Sequence, residues 1–68
     1  MPKYIVTVEN EYTVWRDFET KKLHREDGPA IENVDGKKSW WQNGKLHRED
    51  GPALEYPDGS KEWWQNGV

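Results

Sequence analysis

Apolar residues fall in short bursts along this chain, interrupted every few positions by turn-forming residues. Tyr4-Ile5-Val6-Thr7-Val8 is rich in β-branched side chains, which fit a pleated surface, and predicts a first strand. Glu9-Asn10-Glu11 supplies a polar turn, and Tyr12 to Phe18 then alternates apolar and polar, so the two segments predict an N-terminal hairpin. Ala30 to Val34 and Ala53 to Tyr56 read as short strands, with Lys38 to Gln42 and Lys61 to Gln65 returning as their partners. Asp35-Gly36 and Asp58-Gly59 between them are expected to be two-residue hairpin turns, and Asn43-Gly44 turns the chain again. Asp27-Gly28-Pro29 and Asp50-Gly51-Pro52 stop the segments before them. There the glycine is expected at positive φ, and proline cannot donate to a ladder. Leu46 to Glu49 reads as extended or loop-like. Turns recur too often for a helix of 3.6-residue period. The pattern predicts an all-β chain: an antiparallel meander of β-hairpins, about six strands in a single curved sheet.

The bursts also repeat. Lys45 to Gly67 is a second copy of Lys22 to Gly44, and 18 of the 23 residue pairs are identical. The mismatches are Ile31/Leu54, Asn33/Tyr56, Val34/Pro57, Lys37/Ser60 and Ser39/Glu62. A fixed period of this kind is the signature of stacked supersecondary units. A further shift of 23 positions sets Phe18 where Trp41 stands, and Thr20-Lys21 in place of the Asn-Gly turn. Residues 17–21 therefore read as part of a degenerate leading copy, as terminal repeats tend to be. The organisation is one domain over 1–68, with an N-terminal hairpin and degenerate copy in 1–21 and full copies in 22–44 and 45–67.

Composition sharpens this picture. Sixty-eight residues bury only about 60% of their unfolded surface, so stability needs a dense source of apolar contact. Five tryptophans supply it, each able to bury on the order of 150–250 Å². Cysteine is absent, which favours an intracellular, cytoplasmic location. The net charge of −3 comes from interspersed signs, with no basic stripe for phosphates, so no nucleic-acid partner is expected. No long apolar run or leader segment is visible, so neither membrane insertion nor export is expected.

The ordered pattern aromatic-x-Asn-Gly-Lys-x-His, then Gly-x-Ala, then Tyr-x-Asp-Gly-Ser-Lys, resembles MORN repeats. The resemblance covers Lys22 to Gly67 well and Asp17 to Lys21 weakly. The His-Arg-Glu-Asp-Gly-Pro-Ala version at His24–Ala30 and His47–Ala53 is similar to a variant found in small bacterial and bacteriophage proteins. The usual unit has a glycine after its first aromatic, whereas here that string reads Lys38-Ser39-Trp40-Trp41 and Lys61-Glu62-Trp63-Trp64. What the resemblance implies is a β-hairpin fold and a binding role, in protein assembly and in some members lipid contact, without catalytic residues.

The candidate binding residues are Trp40, Trp41, Trp63, Trp64, Arg25, Arg48 and Tyr56. Successive strand residues face opposite ways, so one tryptophan of each pair should lie on each face. Either the outward rings are covered by the stems of Arg25 and Arg48 and by leucines, or they form an exposed aromatic strip that anchors a partner. His24-Arg25-Glu26-Asp27 and His47-Arg48-Glu49-Asp50 invite a metal reading. Equivalent residues in adjacent copies should, however, lie about 9–10 Å apart, too far to share one ion. Asp27 and Asp50 are instead expected to accept main-chain bonds in their turns, with Arg/Glu pairs bridging the connections. No metal or cofactor is expected. Almost every candidate residue is duplicated, whereas a catalytic site is normally unique, so the chain does not read as an enzyme. The sequence ends at Asn66-Gly67-Val68, and Lys61 to Gln65 is expected to be an open edge able to pair with a second copy, as a homodimer, or with a partner strand. The expected function is a protein-binding module, a small phage or bacterial inhibitor of a host or defence protein, acting in the host cytoplasm if phage-encoded. A nucleotide-type sponge using Trp and Arg, and a structural module or antitoxin, are the alternatives.

Overall fold

The computed structural model describes residues 3–68. Its strands are β1 (Tyr4–Val8), β2 (Tyr12–Asp17), β3 (Ile31–Asn33), β4 (Lys38–Ser39), β5 (Trp41–Gln42), β6 (Lys45–Leu46), β7 (Leu54–Glu55) and β8 (Lys61–Glu62). Six of them form one sheet in the order β1-β2-β3-β4-β7-β8, and every neighbouring pair is antiparallel. The fold is an all-β antiparallel meander, with no helix among the described residues.

A second, two-stranded sheet, β5 with β6, stands outside the first. The strand expected over Lys38 to Gln42 is thus broken at Trp40, and Trp41 pairs with Leu46. The tight turn gives the reason. Asn43 and Gly44 both have positive φ, 52° and 79°, the geometry of a two-residue turn whose twist matches its strands. Such a turn ties Gln42 directly to Lys45. The strand expected over Lys61 to Gln65 shortens in the same way: Gln65 and Val68 exchange both main-chain bonds across Asn66-Gly67.

The Asp-Gly turns are longer than expected. Asn33 N–H donates to Lys37 O (2.8 Å) and Gly36 N–H donates to Asn33 O (3.0 Å), enclosing the three residues Val34, Asp35 and Gly36. Only Gly36 has positive φ (102°), whereas a two-residue turn of the Asn-Gly kind needs two such residues. The Asp35 carboxylate accepts the Lys37 N–H (3.0 Å) and holds the loop. Tyr56 to Ser60 repeats this arrangement around Gly59.

The ladder aligns Thr7, Val14, Ile31, Ser39, Leu54 and Glu62 on one face of the sheet. Val8, Thr13, Glu32, Lys38, Glu55 and Lys61 line the other. The core is built from small side chains: Ala30 and Ala53 are wholly buried, and Val14, Leu54 and Ser39 nearly so. Among the described residues no large side chain is fully buried. Trp15, Trp40, Trp41 and Trp64 are half-buried, so the tryptophans wall the core and do not fill its centre.

Candidate functional site: the tryptophan–arginine stacks

Hydrogen bonds recur from one copy to the next. Trp15 N–H donates to Ala30 O (2.7 Å) and Trp40 N–H to Ala53 O (2.8 Å). His24 N–H donates to Trp15 O (3.2 Å) and His47 N–H to Trp40 O (3.0 Å). Trp15 is therefore the structural counterpart of Trp40, and Arg16, which bridges Leu23, is the counterpart of Trp41, which pairs with Leu46. The alignment of Phe18 with Trp41 does not hold in space. Asp17 N–H donates to Lys22 O and Lys21 N–H to Asp17 O, so the first connection is a four-residue loop over 18–21. Its two extra residues displace the leading copy from a strict period of 23.

An arginine lies on each of these paired tryptophans. The Arg25 guanidinium carbon sits 4.0 Å from the Trp15 ring centroid, and that of Arg48 sits 4.0 Å from Trp40. Arg25 Nε donates to Asp27 Oδ1 (3.0 Å), and its Nη1 reaches Pro29 O (3.2 Å) and Glu32 Oε2 (3.5 Å). Arg48 repeats the set with Asp50 (3.1 Å), Pro52 O (3.1 Å) and Glu55 (3.2 Å). Asp27 and Asp50 thus hold guanidiniums, not main-chain amides. The turn-holding aspartates are Asp17, Asp35 and Asp58. Main-chain bonds from Thr20 and Glu19 hold the Asp17 carboxyl below its ordinary range, and the bond from Ser60 does the same for Asp58.

Gly28 and Gly51 have another role than the one expected. Neither has positive φ. A Cβ on Gly28 would lie 3.0 Å from Arg25 Cζ, and one on Gly51 would lie 2.9 Å from Arg48 Cζ. Glycine stands there because the guanidinium passes over its Cα while resting on the indole.

The histidines tie the start of each copy to the turn at its end. His24 Nδ1 accepts the Asn43 N–H (3.1 Å) and His47 Nδ1 accepts the Asn66 N–H (3.0 Å). Each ring therefore presents a lone pair at Nδ1, which places its proton on Nε2, facing Glu26 or Glu49. Tyr4 leans on the His24 ring and its hydroxyl accepts the Glu26 N–H (3.0 Å). Among the described residues, no three or more His, Cys, Asp or Glu side chains group as a metal site would require.

The second tryptophan of each pair reaches the other face. Trp41 Nε1–H donates to Ser39 Oγ (2.9 Å) and lines an apolar groove with Tyr12, Ile31, Leu46 and Leu54. Trp64 Nε1–H donates to Glu62 Oε1 (3.0 Å). Tyr56 O–H donates to the other oxygen of Glu62 (2.9 Å), which raises the Tyr56 pKa. Lys37 Nζ stands 5.2 Å from the Tyr56 ring centroid. Two of the five mismatches between copies, Asn33/Tyr56 and Ser39/Glu62, thus form one contact in the second copy.

Trp63 stands apart. It follows Glu62 as Trp40 follows Ser39, and the Ala53 N–H bond to Glu62 O (2.8 Å) repeats that of Ala30 to Ser39 O (2.8 Å). Yet Trp63 is 67% exposed. Its main-chain N–H and C=O have no partner among the described residues, and no guanidinium covers its ring. The candidate residues therefore divide. Arg25, Arg48 and Trp40 are engaged with the chain itself, Trp41, Trp64 and Tyr56 are half-buried and hydrogen-bonded, and Trp63 is open. Trp15, the platform for Arg25, is the member that the 23-residue period hides. It lies ten residues before its arginine, whereas Trp40 lies eight before Arg48.

Comparison with protein-family models, with curated proteins and with solved structures returns no match.

Proposed function

We propose that this chain is a non-enzymatic module that binds another protein through Trp63 and the adjoining edge strand β8. The observation that carries this reading is the exposed indole beside main-chain groups that lack partners. A large aromatic ring is a favoured interface anchor, and an open strand edge offers main-chain bonds to an incoming strand. Trp64, Glu49 and Val68 flank the ring and would form the rim. Arg25, Arg48 and Trp40 hold the scaffold rigid, and Tyr56 with Glu62 orients Trp64.

The resemblance of His24–Ala30 and His47–Ala53 to the variant MORN units of small phage and bacterial proteins extends the proposal. The partner would be a host or defence protein in the bacterial cytoplasm, inhibited by occupation of its surface. That extension rests on fold-level analogy. The sponge alternative is less well supported, because each guanidinium already serves an aspartate, a proline carbonyl and a glutamate.

The test is affinity capture from a bacterial lysate, comparing the wild-type chain with Trp63→Ala and Trp64→Ala. Recovery of one protein by wild type, lost with Trp63→Ala, is the expected result. Equal recovery by all three chains would remove the proposed site. Light scattering of the chain alone gives the mass, and a dimer lost with Trp63→Ala would make a second copy the partner.

A further inference from the structure

We propose that Trp63 is a socket for an arginine on a looped segment of the partner, seated as Arg25 sits on Trp15 and Arg48 on Trp40. The proposal rests on the binding-module reading and names what the site recognises.

The molecule contains this socket in filled form twice. In each case a tryptophan N–H donates to an alanine carbonyl, and its C=O accepts from the N–H of a histidine six residues before that alanine. The residue after the histidine is the arginine on the ring. Two main-chain bonds and one guanidinium therefore arrive on one segment that loops back on itself through the bend at 26–28 or 49–51. Trp63 offers the same three features unfilled: an open ring, and an N–H and a C=O without a partner among the described residues.

Its surroundings match as well. A cavity of about 300 Å³ at Trp63 is bounded by Arg48, Glu49, Trp64, Gln65 and Val68. Of their counterparts one copy earlier, Arg25, Glu26 and Gln42 share a cavity with Trp40. The chain's net charge of −3 favours a cationic visitor. A guanidinium suits the site better than an ammonium, because its plane stacks on the indole while its edge still donates hydrogen bonds. The segment would bring its own carboxylates and carbonyls, as Asp27, Pro29 and Glu32 do for Arg25.

A synthetic peptide with the sequence of residues 46–55 is the direct probe, since it is the segment that fills the socket at Trp40. The full chain is titrated with this peptide and with a peptide in which its arginine is glutamine, with calorimetric readout. Saturable binding is expected, weakened about three- to thirtyfold by the glutamine, the range that a cation–π contact spans. Trp63→Ala in the protein should weaken binding by a similar factor, and the two losses should not add. Trp63 is largely exposed, so this variant should keep the wild-type unfolding midpoint. Absence of saturable binding at millimolar peptide, or binding indifferent to the arginine or to Trp63, would overturn the proposal. If lysate capture still depends on Trp63 while the peptide fails, the arginine is wrong and the binding module stands. If capture is also independent of Trp63, both fall.

Discussion

Replacing Gly51 with alanine separates two reasons for a glycine in Asp-Gly-Pro. If the backbone required it, alanine would be strained in any background. The φ of Gly51 is not positive, so alanine is compatible with the main chain. It could even stabilise by roughly 0.4–1 kcal/mol through the unfolded state. What alanine cannot coexist with is Arg48 in its present place, because its Cβ would lie 2.9 Å from Cζ and 3.1 Å from Nε. The guanidinium is the far end of a flexible side chain and would move, so the cost is limited to what its position gains. The stack on Trp40 contributes about 0.5–1 kcal/mol at a partly exposed site. The bond to the Pro52 carbonyl adds about 0.5–1.5 kcal/mol. The ion pair with the largely exposed Asp50 adds little, and that with Glu55, still partly open to water, adds a modest amount. The lost contacts sum to about 1–2.5 kcal/mol, so with the unfolded-state gain subtracted Gly51→Ala should cost up to about 2 kcal/mol net, a fall of up to roughly 15 °C in midpoint for a chain of this size. In an Arg48→Ala background the same change should be neutral or slightly stabilising. Urea unfolding followed by tryptophan fluorescence, on the four proteins of the cycle, measures the coupling. An equal loss in both backgrounds would refute the close-approach explanation and return the glycine to a backbone role.

Other perturbations test neighbouring contacts. Ser39→Ala removes the acceptor of the half-buried Trp41 Nε1–H and should cost about 1–3 kcal/mol, checked by chemical denaturation. Ser39→Glu alone should destabilise, and adding Asn33→Tyr should recover part of the loss by recreating the Tyr56–Glu62–Trp64 arrangement in the first copy; no recovery would deny that the two mismatches act together. His24→Asn should retain more stability than His24→Ala, since an amide oxygen can accept the Asn43 N–H, and equal losses would show that the bond is idle. Asp58 has a folded pKa below its ordinary 3.8, so its contribution is present above that value and is lost as pH falls through the lower folded one; Asp58→Asn should flatten the acid limb of the stability profile. Tyr56 has a folded pKa above 10.0, so its contribution is present below that value and is lost as pH rises through the higher one, and Glu62→Gln should lower that pKa in a phenolate absorbance titration.

Much of the fold is legible in the sequence because turn chemistry is local. Asn43-Gly44 fixes a tight turn through two positive φ angles, and β-branched Ile5, Val6 and Val8 mark the first strand. The second sheet is not legible, because period-2 alternation continues through Trp40 while the chain direction changes there. The site is only half legible. Identical Trp-Trp pairs announce a repeated aromatic feature, but covering each ring depends on an arginine eight or ten residues on. That spacing varies with one loop, so Trp15 escapes the count. Gly51 misleads for a related reason: its partner is a side chain arriving from Arg48, and local backbone rules carry no trace of it.

The central claim is that three equivalent indoles differ only in occupancy, two covered by the chain's own arginines and Trp63 open to another. Indole N–H signals in a nitrogen-edited proton NMR spectrum report on all five tryptophans at once. During titration with the residue 46–55 peptide, the Trp63 signal is predicted to move progressively, with smaller shifts at adjacent Trp64, while Trp15 and Trp40 stay in place. Movement of Trp15 or Trp40, or a Trp63 signal that does not move, would contradict it.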